Sequence, residues 1–525
     1  MNLDENKMSV WAIAPDPIKE AEISSSLNTE VLVVGAGNAG FFAAIAAAEK
    51  GAKTTLIERE SHLSLIRTYI GGVKTKAQKR AGIEIDKYEL VEEICRYASH
   101  RVDQRLIKLW ADKSGEVIDW LEEEILKPNG AYLHAESDTG NPNDFYKAYP
   151  TQHDAQTDAD GFSFAPCLED KAYKLGVDIR YNTPMVQLIR SKSDERITGV
   201  IAKDEDGNYI KINASKGVIL CTGGYANNVE MLKEINPIAY KENVYCDAPA
   251  NYGEGISAAT WVGADKDEVP TVLVFDRGIV PPGTKASETY IQQPFKNFFW
   301  FGSQPFLKVN LRGERFANES VPYDWIVNAA GLQPGDLYCQ IWDSNWKEDV
   351  ARFQTLGCSR IQYPSPTGGL QSKVSVRGYE GAERDIEKYV NMGYVKKADT
   401  IEELAEKLQI PADSLKATVG RYNELAEKGI DEDFGKEKHR LSKVAKAPFY
   451  GCVLGGRILC TLDGLRINTN MQVLDKESNP IEGLYAAGND SGGFFGVSYP
   501  EHIPGLACSR AFTFGRLAGQ KVASH

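Results

Sequence analysis

None of the nine cysteines is spaced as a CxxC pair. That absence excludes thioredoxin-like redox chemistry, a cysteine-bound zinc site, a c-type haem and an iron–sulfur carrier. The cysteines (Cys95, Cys167, Cys221, Cys246, Cys339, Cys358, Cys452, Cys460 and Cys508) are scattered and odd in number. They fit a reduced cytoplasmic protein better than a disulfide scaffold. No block of like charges occurs, and the net charge is −13, so nucleic acid is not an expected partner. Residues 1–30 have no apolar signal core and no twin arginine, so no secretory leader is expected. No polybasic or amphipathic anchor appears, and stable membrane insertion is not expected. No internal repeat, low-complexity tract or metal-ligand spacing is evident.

What is present is an ordinary globular composition, 42% apolar and 25% charged. At 525 residues the chain exceeds one hydrophobic core, so two or three domains are expected.

Residues 31–58 organise the reading. Val31-Leu32-Val33-Val34 suits a strand buried on both faces. It breaks into Gly35-Ala36-Gly37-Asn38-Ala39-Gly40, and an alanine-rich stretch of strong helix propensity follows through Ala48. Gly51 ends that helix, and Thr54-Thr55-Leu56-Ile57 forms a second strand delivering Glu58. Glycines permit the tight turn and the close approach of a pyrophosphate to the helix N-terminus. Glu58 lies 23 residues after Gly35, near the roughly 20-residue offset of an acid that binds a ribose hydroxyl. Residues 31–48 are also an uncharged run of 18. Three glycines and an asparagine make it a poor membrane span.

Further on, Ile70-Gly71-Gly72-Val73 offers a glycine pair. Residues 84–125 read as helix with a packing face. Residues 128–161 read as loop containing His134, His153, Tyr146 and Tyr149, a histidine in such a loop being solvated or else touching a ligand. A helix near 164–175 and strands near 177–181, 196–203 and 208–214 follow, the last two forming a hairpin through Asp206-Gly207. Gly217-Val218-Ile219-Leu220-Cys221-Thr222-Gly223-Gly224 is a strand whose exit can set backbone amides beside a nucleotide. From 246 to 445 aromatics and prolines rise. Asn297-Phe298-Phe299-Trp300-Phe301 reads as core or interface, or as the wall of an apolar pocket. Helices are expected over 400–408 and 412–427, capped by Thr400 and Asp413. Gly483-Leu484-Tyr485-Ala486-Ala487-Gly488-Asn489 is again a strand running into glycine. A last helix over 506–523 presents its N-terminus at Gly505-Leu506, suited to the electron-rich edge of a reduced flavin.

These pieces, with Arg312-Gly313-Glu314-Arg315-Phe316-Ala317-Asn318-Glu319 and Phe514-Gly515-Arg516-Leu517-Ala518-Gly519, resemble the flavoprotein family of fumarate reductase, urocanate reductase and the 3-oxosteroid dehydrogenases. The resemblance implies an α/β protein with a Rossmann-like FAD domain split in sequence, 1–245 and 446–525, and an α+β substrate-capping domain inserted over 246–445. It also implies FAD contacts at Gly35, Gly37, Asn38, Ala39, Gly40, Glu58, Arg59, Gly71, Gly72, Val186, Thr222, Gly223, Gly224, Gly488, Asn489, Gly505 and Leu506.

The departures from the family pattern narrow the chemistry. Relatives that attach FAD covalently use a histidine six residues before the glycine pair. Leu65 stands there, so non-covalent FAD is expected. The fumarate reductase proton-donor arginine matches Tyr323, a carboxylate-binding arginine matches Tyr499, and a carboxylate-binding histidine matches Cys460. A phenol cannot replace an arginine fork on a dicarboxylate, so fumarate is disfavoured. Tyrosines at these positions resemble the 3-oxosteroid dehydrogenases. By that resemblance Tyr323 shuttles a proton, while Tyr499 and the Gly505 amide polarise a carbonyl. The loop Tyr499-Pro500-Glu501-His502-Ile503-Pro504-Gly505 is two residues longer than the usual spacing. Its Glu501 and His502 either enter the pocket, where His502 would contact substrate, or bulge away.

The expectation is therefore an FAD enzyme interconverting CH–CH and C=C beside a carbonyl, acting on an apolar small molecule. One alternative is reduction of a small unsaturated acid, its carboxylate held by His502 or Arg277. Another is a flavin electron-transfer protein, against which the inserted domain argues. The sequence does not identify the electron donor or acceptor.

Overall fold

The computed structural model describes residues 10–63, 69–136, 139–157, 163–192, 195–247, 250–286, 289, 297–355, 359, 361 and 378–524. The first stretch runs β1 (Ile23–Val34), α1 (Asn38–Glu49), β2 (Thr54–Ile57), β3 (Ile70–Gly71), α2 (Lys76–Arg80), α3 (Lys87–Tyr97), α4 (Gln104–Leu121), β4 (Tyr132–Ala135) and β5 (Gln152–Gln156). It continues through α5 (Ala165–Lys174), β6 (Asp178–Arg180), β7 (Met185–Ile189), β8 (Gly199–Lys203) and β9 (Tyr209–Leu220). Next come α6 (Val229–Ile235), α7 (Pro237–Glu242), β10 (Asn243–Cys246), α8 (Glu254–Trp261), β11 (Val272–Val280), β12 (Leu307–Asn310), α9 (Tyr323–Ala330) and β13 (Tyr338–Trp342). The remainder is α10 (Trp346–Phe353), α11 (Tyr379–Asn391), β14 (Lys396–Ala398), α12 (Ile401–Leu408), α13 (Ala412–Lys428), β15 (Phe449–Thr461), β16 (Gln472–Leu474), β17 (Pro480–Ala486) and α14 (Leu506–Ser524).

The described strands form three sheets. The largest has the order β16-β17-β9-β1-β2-β6, with β8 and β7 joining through β9. Its centre is parallel, with Val33 paired to Leu56 on one side and Ile219 on the other. Val31, Leu32 and Val33 are fully buried, as a strand covered on both faces requires. The second sheet, β10-β15-β13-β12, is mixed, and β11 and β14 also pair with β15. Strands from both sides of the expected 246–445 insert thus enter this sheet. A small third sheet orders β3-β5-β4.

Small residues bring the first and last helices together. A side chain at Gly515 would place its Cβ 2.3 Å from the Ala39 carbonyl, and one at Gly519 would meet the Ala43 carbonyl at 2.1 Å. Helices α1 and α14 therefore pack backbone to backbone, with Phe42 stacked on Phe512 at 4.5 Å. This contact directs both helix N-termini toward one cleft.

The local expectations fail in identifiable places. Residues 128–161 contain β4 and β5, because they pair with each other and β5 also pairs with β3, supplying backbone partners that the sequence does not advertise. His153 is fully buried there, its Nε2 2.6 Å from the Thr75 hydroxyl. Residues 1–30 are expected from the sequence to form a surface arm ahead of the first strand, yet residues 23–30 belong to β1, paired along β9. The 84–125 stretch is two helices, α3 and α4. Thr400 caps α12 by accepting from the Glu403 amide. Pro411 occupies the cap position of α13, leaving Asp413 in its first turn, where the helix dipole favours an acid.

Candidate active site

A cleft of about 880 Å³ lies where β1, β2 and β9 end and where α1 and α14 begin. Its floor is mostly backbone. Gly35 has φ +105°, and a Cβ there would lie 2.3 Å from the Cys221 carbonyl, so only glycine fits. The turn delivers Gly37, Asn38 and Ala39 to the cleft at the N-terminus of α1. Glu58, at the end of β2, lines the cleft and accepts from the Ala36 amide at 2.7 Å and the Glu60 amide at 3.0 Å. Arg59 stacks on Tyr252 at 4.4 Å and pairs with Glu254. Thr222 and Gly223 follow β9, and Gly488 and Asn489 follow β17. At the far end Gly505 and Ala507 open α14.

The opposite wall is made of side chains. Leu273, Phe275 and Arg277 alternate along β11 and line the cleft with Phe298, Trp300 and Leu459. Tyr323 is the first residue of α9, 5% exposed, its ring edge-on to Phe275 at 5.0 Å. Tyr499 is equally buried, and its hydroxyl accepts from the Ala507 amide at 3.4 Å. Cys460 of β15 lines the same space. Arg277 is fully buried, its guanidinium 4.5 Å from the rings of Phe275 and Trp300. Its Nε donates to Ser303 Oγ at 2.6 Å. Three aromatic faces offset part of the cost of burying that charge.

Several residues expected at the cofactor stand behind the cleft. Gly40 abuts the Gly35 carbonyl, and Gly71 abuts the Gly505 carbonyl. Gly72 packs against Thr75, Ile118 and His153. Their lack of a side chain permits close backbone packing that shapes the floor. Gly224 and Leu506 are buried outside the lining, and Pro184 and Met185 line the cleft where Val186 does not. The amides of Thr222 and Gly224 donate to the buried Asp490 carboxylate and so are directed away from a nucleotide. Leu65 lies outside the described residues.

The lengthened loop also turns away from the cleft. His502 Nε2 lies 2.8 Å from Glu93 Oε1, and its ring sits 5.1 Å from Tyr97. Of the two arrangements open from the sequence, His502 thus takes the one outside the cleft, bonded to Glu93 of α3. Burial opposes ionisation of Glu93, yet hydrogen bonds from His502 and Arg96 hold its carboxyl down at about 2. Glu501 instead reaches back, its Oε2 accepting from the Tyr323 amide at 3.3 Å. Burial, with Asp324 and Asp276 nearby, pushes the Glu501 carboxyl up to about 8. Both loop residues line a smaller cavity of about 70 Å³ that adjoins Tyr323.

The Arg312–Glu319 motif is a clamp. Arg315 lies between Glu319 and Asp431, 2.8 Å from each and nearly buried. It fixes the segment leading into α9, and with it Tyr323. Arg277 was the least assigned of the cleft residues. The period-two spacing of 273, 275 and 277 was the signal that could have grouped it with its neighbours. The aromatic cluster splits by the same alternation, with Phe298 and Trp300 toward the cleft and Phe299 and Phe301 packed against Trp342.

The profile of the FAD binding domain family matches residues 30–501. The chain belongs to that family, and it is an FAD-dependent oxidoreductase of the group that includes fumarate reductases and 3-oxosteroid dehydrogenases. It is 30% identical over 505 residues to vinyl phenol reductase of Lactiplantibacillus plantarum, covering 94% of this chain and 96% of that one. It is 26% identical over 501 residues to fumarate reductase (cytochrome) of Shewanella frigidimarina, covering 94% and 77%. The 3-oxosteroid 1-dehydrogenase of Mycolicibacterium smegmatis is 30% identical over 368 residues, 66% of this chain and 60% of that one. Among solved structures, an open flavocytochrome c3 fumarate reductase superposes with a TM-score of 0.69 at 25% identity, covering 99% of this chain and 83% of that one.

The cleft fits the cofactor. Gly35 leaves a cradle that a Cβ would fill, helix N-termini at α1 and α14 offer amides, and the Glu58 carboxylate at the end of β2 suits a ribose hydroxyl. No helix among the described residues is long and apolar enough to cross a membrane. Among the described residues no cluster of His, Cys, Asp and Glu is arranged to hold a metal.

Proposed function

We propose that this protein interconverts CH–CH and C=C in a small, largely apolar molecule whose double bond is conjugated to an oxygen-bearing group, an enone being the simplest case. FAD, held non-covalently, supplies or accepts the hydride at its N5. The chain's own residues do the rest. Tyr323 carries the proton exchanged with the carbon beside the carbonyl. Tyr499 and the Gly505 amide donate to the oxygen on which enolate charge develops. The aromatic wall excludes water and accepts a flat substrate. The observation that carries this reading is the pair of buried phenols, Tyr323 and Tyr499, lining one apolar cleft at the start of α14. Vinyl phenol reductase, similar along nearly the whole chain, supports a small, largely apolar molecule with a conjugated C=C.

A second reading is reduction of an unsaturated acid. One observation favours it, the buried Arg277 guanidinium on the cleft wall, a group suited to a carboxylate. The capping role of the 246–445 segment and a cytoplasmic setting complete the proposal.

Anaerobic photoreduction of the flavin, followed by androst-4-ene-3,17-dione, cyclohexenone, 4-vinylphenol, fumarate or urocanate, tests the substrate class. A neutral conjugated acceptor should reoxidise the flavin, and Tyr323→Phe should slow that step about 10²–10⁴-fold while FAD stays bound. Unchanged turnover in Tyr323→Phe sinks the proton role. Reoxidation by the acids alone, lost in Arg277→Met, establishes the second reading. A flavin indifferent to all five, yet reoxidised by a protein partner, points to electron transfer.

A further inference from the structure

The small cavity behind Tyr323 has no role in the chemistry described so far. Tyr323 lines it as well as the cleft, so this one residue separates two spaces of opposite character. On the cleft side its neighbours are Phe275, Phe298 and Trp300. On the other side they are Glu501, Asp276, Ser303 and Ser320. With flavin and substrate in the cleft, the polar cavity is a second face from which a proton can reach Tyr323.

We infer that Glu501 is the proton relay that reloads Tyr323 from this cavity. The inference rests on the proton role proposed for Tyr323. Glu501 Oε2 accepts from the Tyr323 backbone amide at 3.3 Å, which fixes the carboxyl beside the base of that side chain. The cavity, about 70 Å³, has room for water at about 10–15 Å³ per molecule. Two polar atoms on its lining, Ser320 Oγ and His502 Nδ1, are buried without a hydrogen-bond partner among the described residues. Buried polar atoms of this kind are the sites at which ordered water completes a hydrogen-bond network.

The far end of the cavity is charged. Asp144 lines it and lies 2.9 Å from His439 and 3.0 Å from Arg440, close to the surface. The wall toward the cleft is also wired, as Arg277 donates to Ser303 and Ser303 donates to Asp276.

Charged and titratable groups surround Glu501 on every side. Asp276 and Arg277 come from β11, Asp324 from α9 and Tyr97 from α3, while Tyr146 and Glu319 complete the surround. The acids and the burial favour the protonated form, and Arg277 opposes it. Glu501 thus holds a proton at neutral pH, and it releases one readily only to a strong base such as a phenolate. In the reductive direction the Tyr323 O–H bond breaks as the substrate C–H bond forms. The phenolate takes the Glu501 proton, and the carboxylate regains one from solvent through the cavity. In the oxidative direction each transfer reverses and the proton leaves to solvent.

Glu501→Gln and Glu501→Asp, both in the FAD-loaded enzyme, test the relay. Infrared difference spectra at neutral pH should show a carboxylic acid carbonyl band in the wild type that is missing in Glu501→Gln. With reduced methyl viologen as donor and androst-4-ene-3,17-dione or 4-vinylphenol as acceptor, Glu501→Gln should lower kcat about tenfold to hundredfold. KM and the flavin spectrum should hold, the pH limb near the Glu501 value should vanish, and Glu501→Asp should restore most of the rate with that limb displaced. A wild-type kcat and pH profile in Glu501→Gln overturns the relay, as does a spectrum with no band lost. If Tyr323→Phe is inactive in the same assay, the Tyr323 reading survives that failure. If neither acceptor turns over, or Tyr323→Phe stays active, the Tyr323 reading fails and the relay falls with it.

Discussion

The floor and the wall of the cleft are built by different means. The floor comes mostly from backbone at strand ends and helix starts: Gly35 to Ala39, Thr222 and Gly223, Gly488 and Asn489, and the opening of α14. Its geometry follows from a positive φ, a missing Cβ and helix N-termini, all local properties. The wall comes from side chains that the sheet collects from distant positions, Phe275, Arg277, Trp300, Tyr323 and Tyr499. A floor of backbone holds any cofactor with the right phosphates and ribose. A wall of side chains chooses what is placed against it, and it can change without disturbing the floor.

The comparison can be broken most severely at Gly35. Alanine there takes φ +105° with its Cβ 2.3 Å from a carbonyl oxygen. The backbone strain alone is about 1–3 kcal/mol. Gly35→Ala should purify without flavin absorbance, whereas Trp300→Leu, on the wall, should keep its full complement. A Gly35→Ala protein that retains FAD would erase the distinction.

Tyr499→Phe sharpens it from the other side. Removing one donor to the developing oxyanion should lower kcat about 10²–10³-fold. FAD content should not change, because the ring remains and only the hydroxyl is lost. An effect on FAD binding equal to that on rate would assign Tyr499 to the floor.

The smallest expected effect concerns pH. Burial pushes up the carboxyls of Glu501 to about 8, Glu242 to about 7, and Asp324, Asp267, Asp349 and Asp385 to about 6. The native state therefore binds these protons more tightly than the unfolded chain does. That contribution to stability is complete below the ordinary carboxyl range and is lost as pH rises through 6 to 8. Glu93 and Asp431, held at about 2, act with the opposite sign and only in acid. Thermal unfolding should move to lower temperature between those two pH values, by about 2–4 °C for each kcal/mol lost. Glu501→Gln should flatten the upper part of the decline, and a Tm that rises over the interval would reverse the sign.

Much of the floor was legible in the sequence, because strand, turn, helix and acid are arranged within residues 31–58. The parallel strands, the last helix and the pair α12–α13 were legible for the same reason. Strands β4 and β5 were not, since they extend only by pairing with each other and, for β5, with β3. The Thr222 and Gly224 amides were read as nucleotide ligands, yet Asp490 takes them, from a position 268 residues beyond Thr222. Gly71 and Gly72 were placed at the cofactor, and in the structure Gly71 lets two backbones meet while Gly72 leaves room for the side chains of Thr75, Ile118 and His153. The sequence left His502 open between the pocket and an outward bulge, and Glu93 on α3 decides for the latter. Each of these outcomes depends on a partner far off in sequence.

By itself the sequence determined, through residue type and short-range spacing, a strand–turn–helix–strand dinucleotide site over residues 31–58. Its resemblance to the flavoprotein family implied FAD, the split α/β domain, and Tyr323, Tyr499 and Cys460 where fumarate reductases carry charged groups. Only the tertiary structure decided that Arg277 joins the wall, that Glu501 reaches Tyr323, and that a polar cavity lies behind it. Burial and like-charge proximity set the protonation of those groups, and both arise only when remote strands and helices close around the same point.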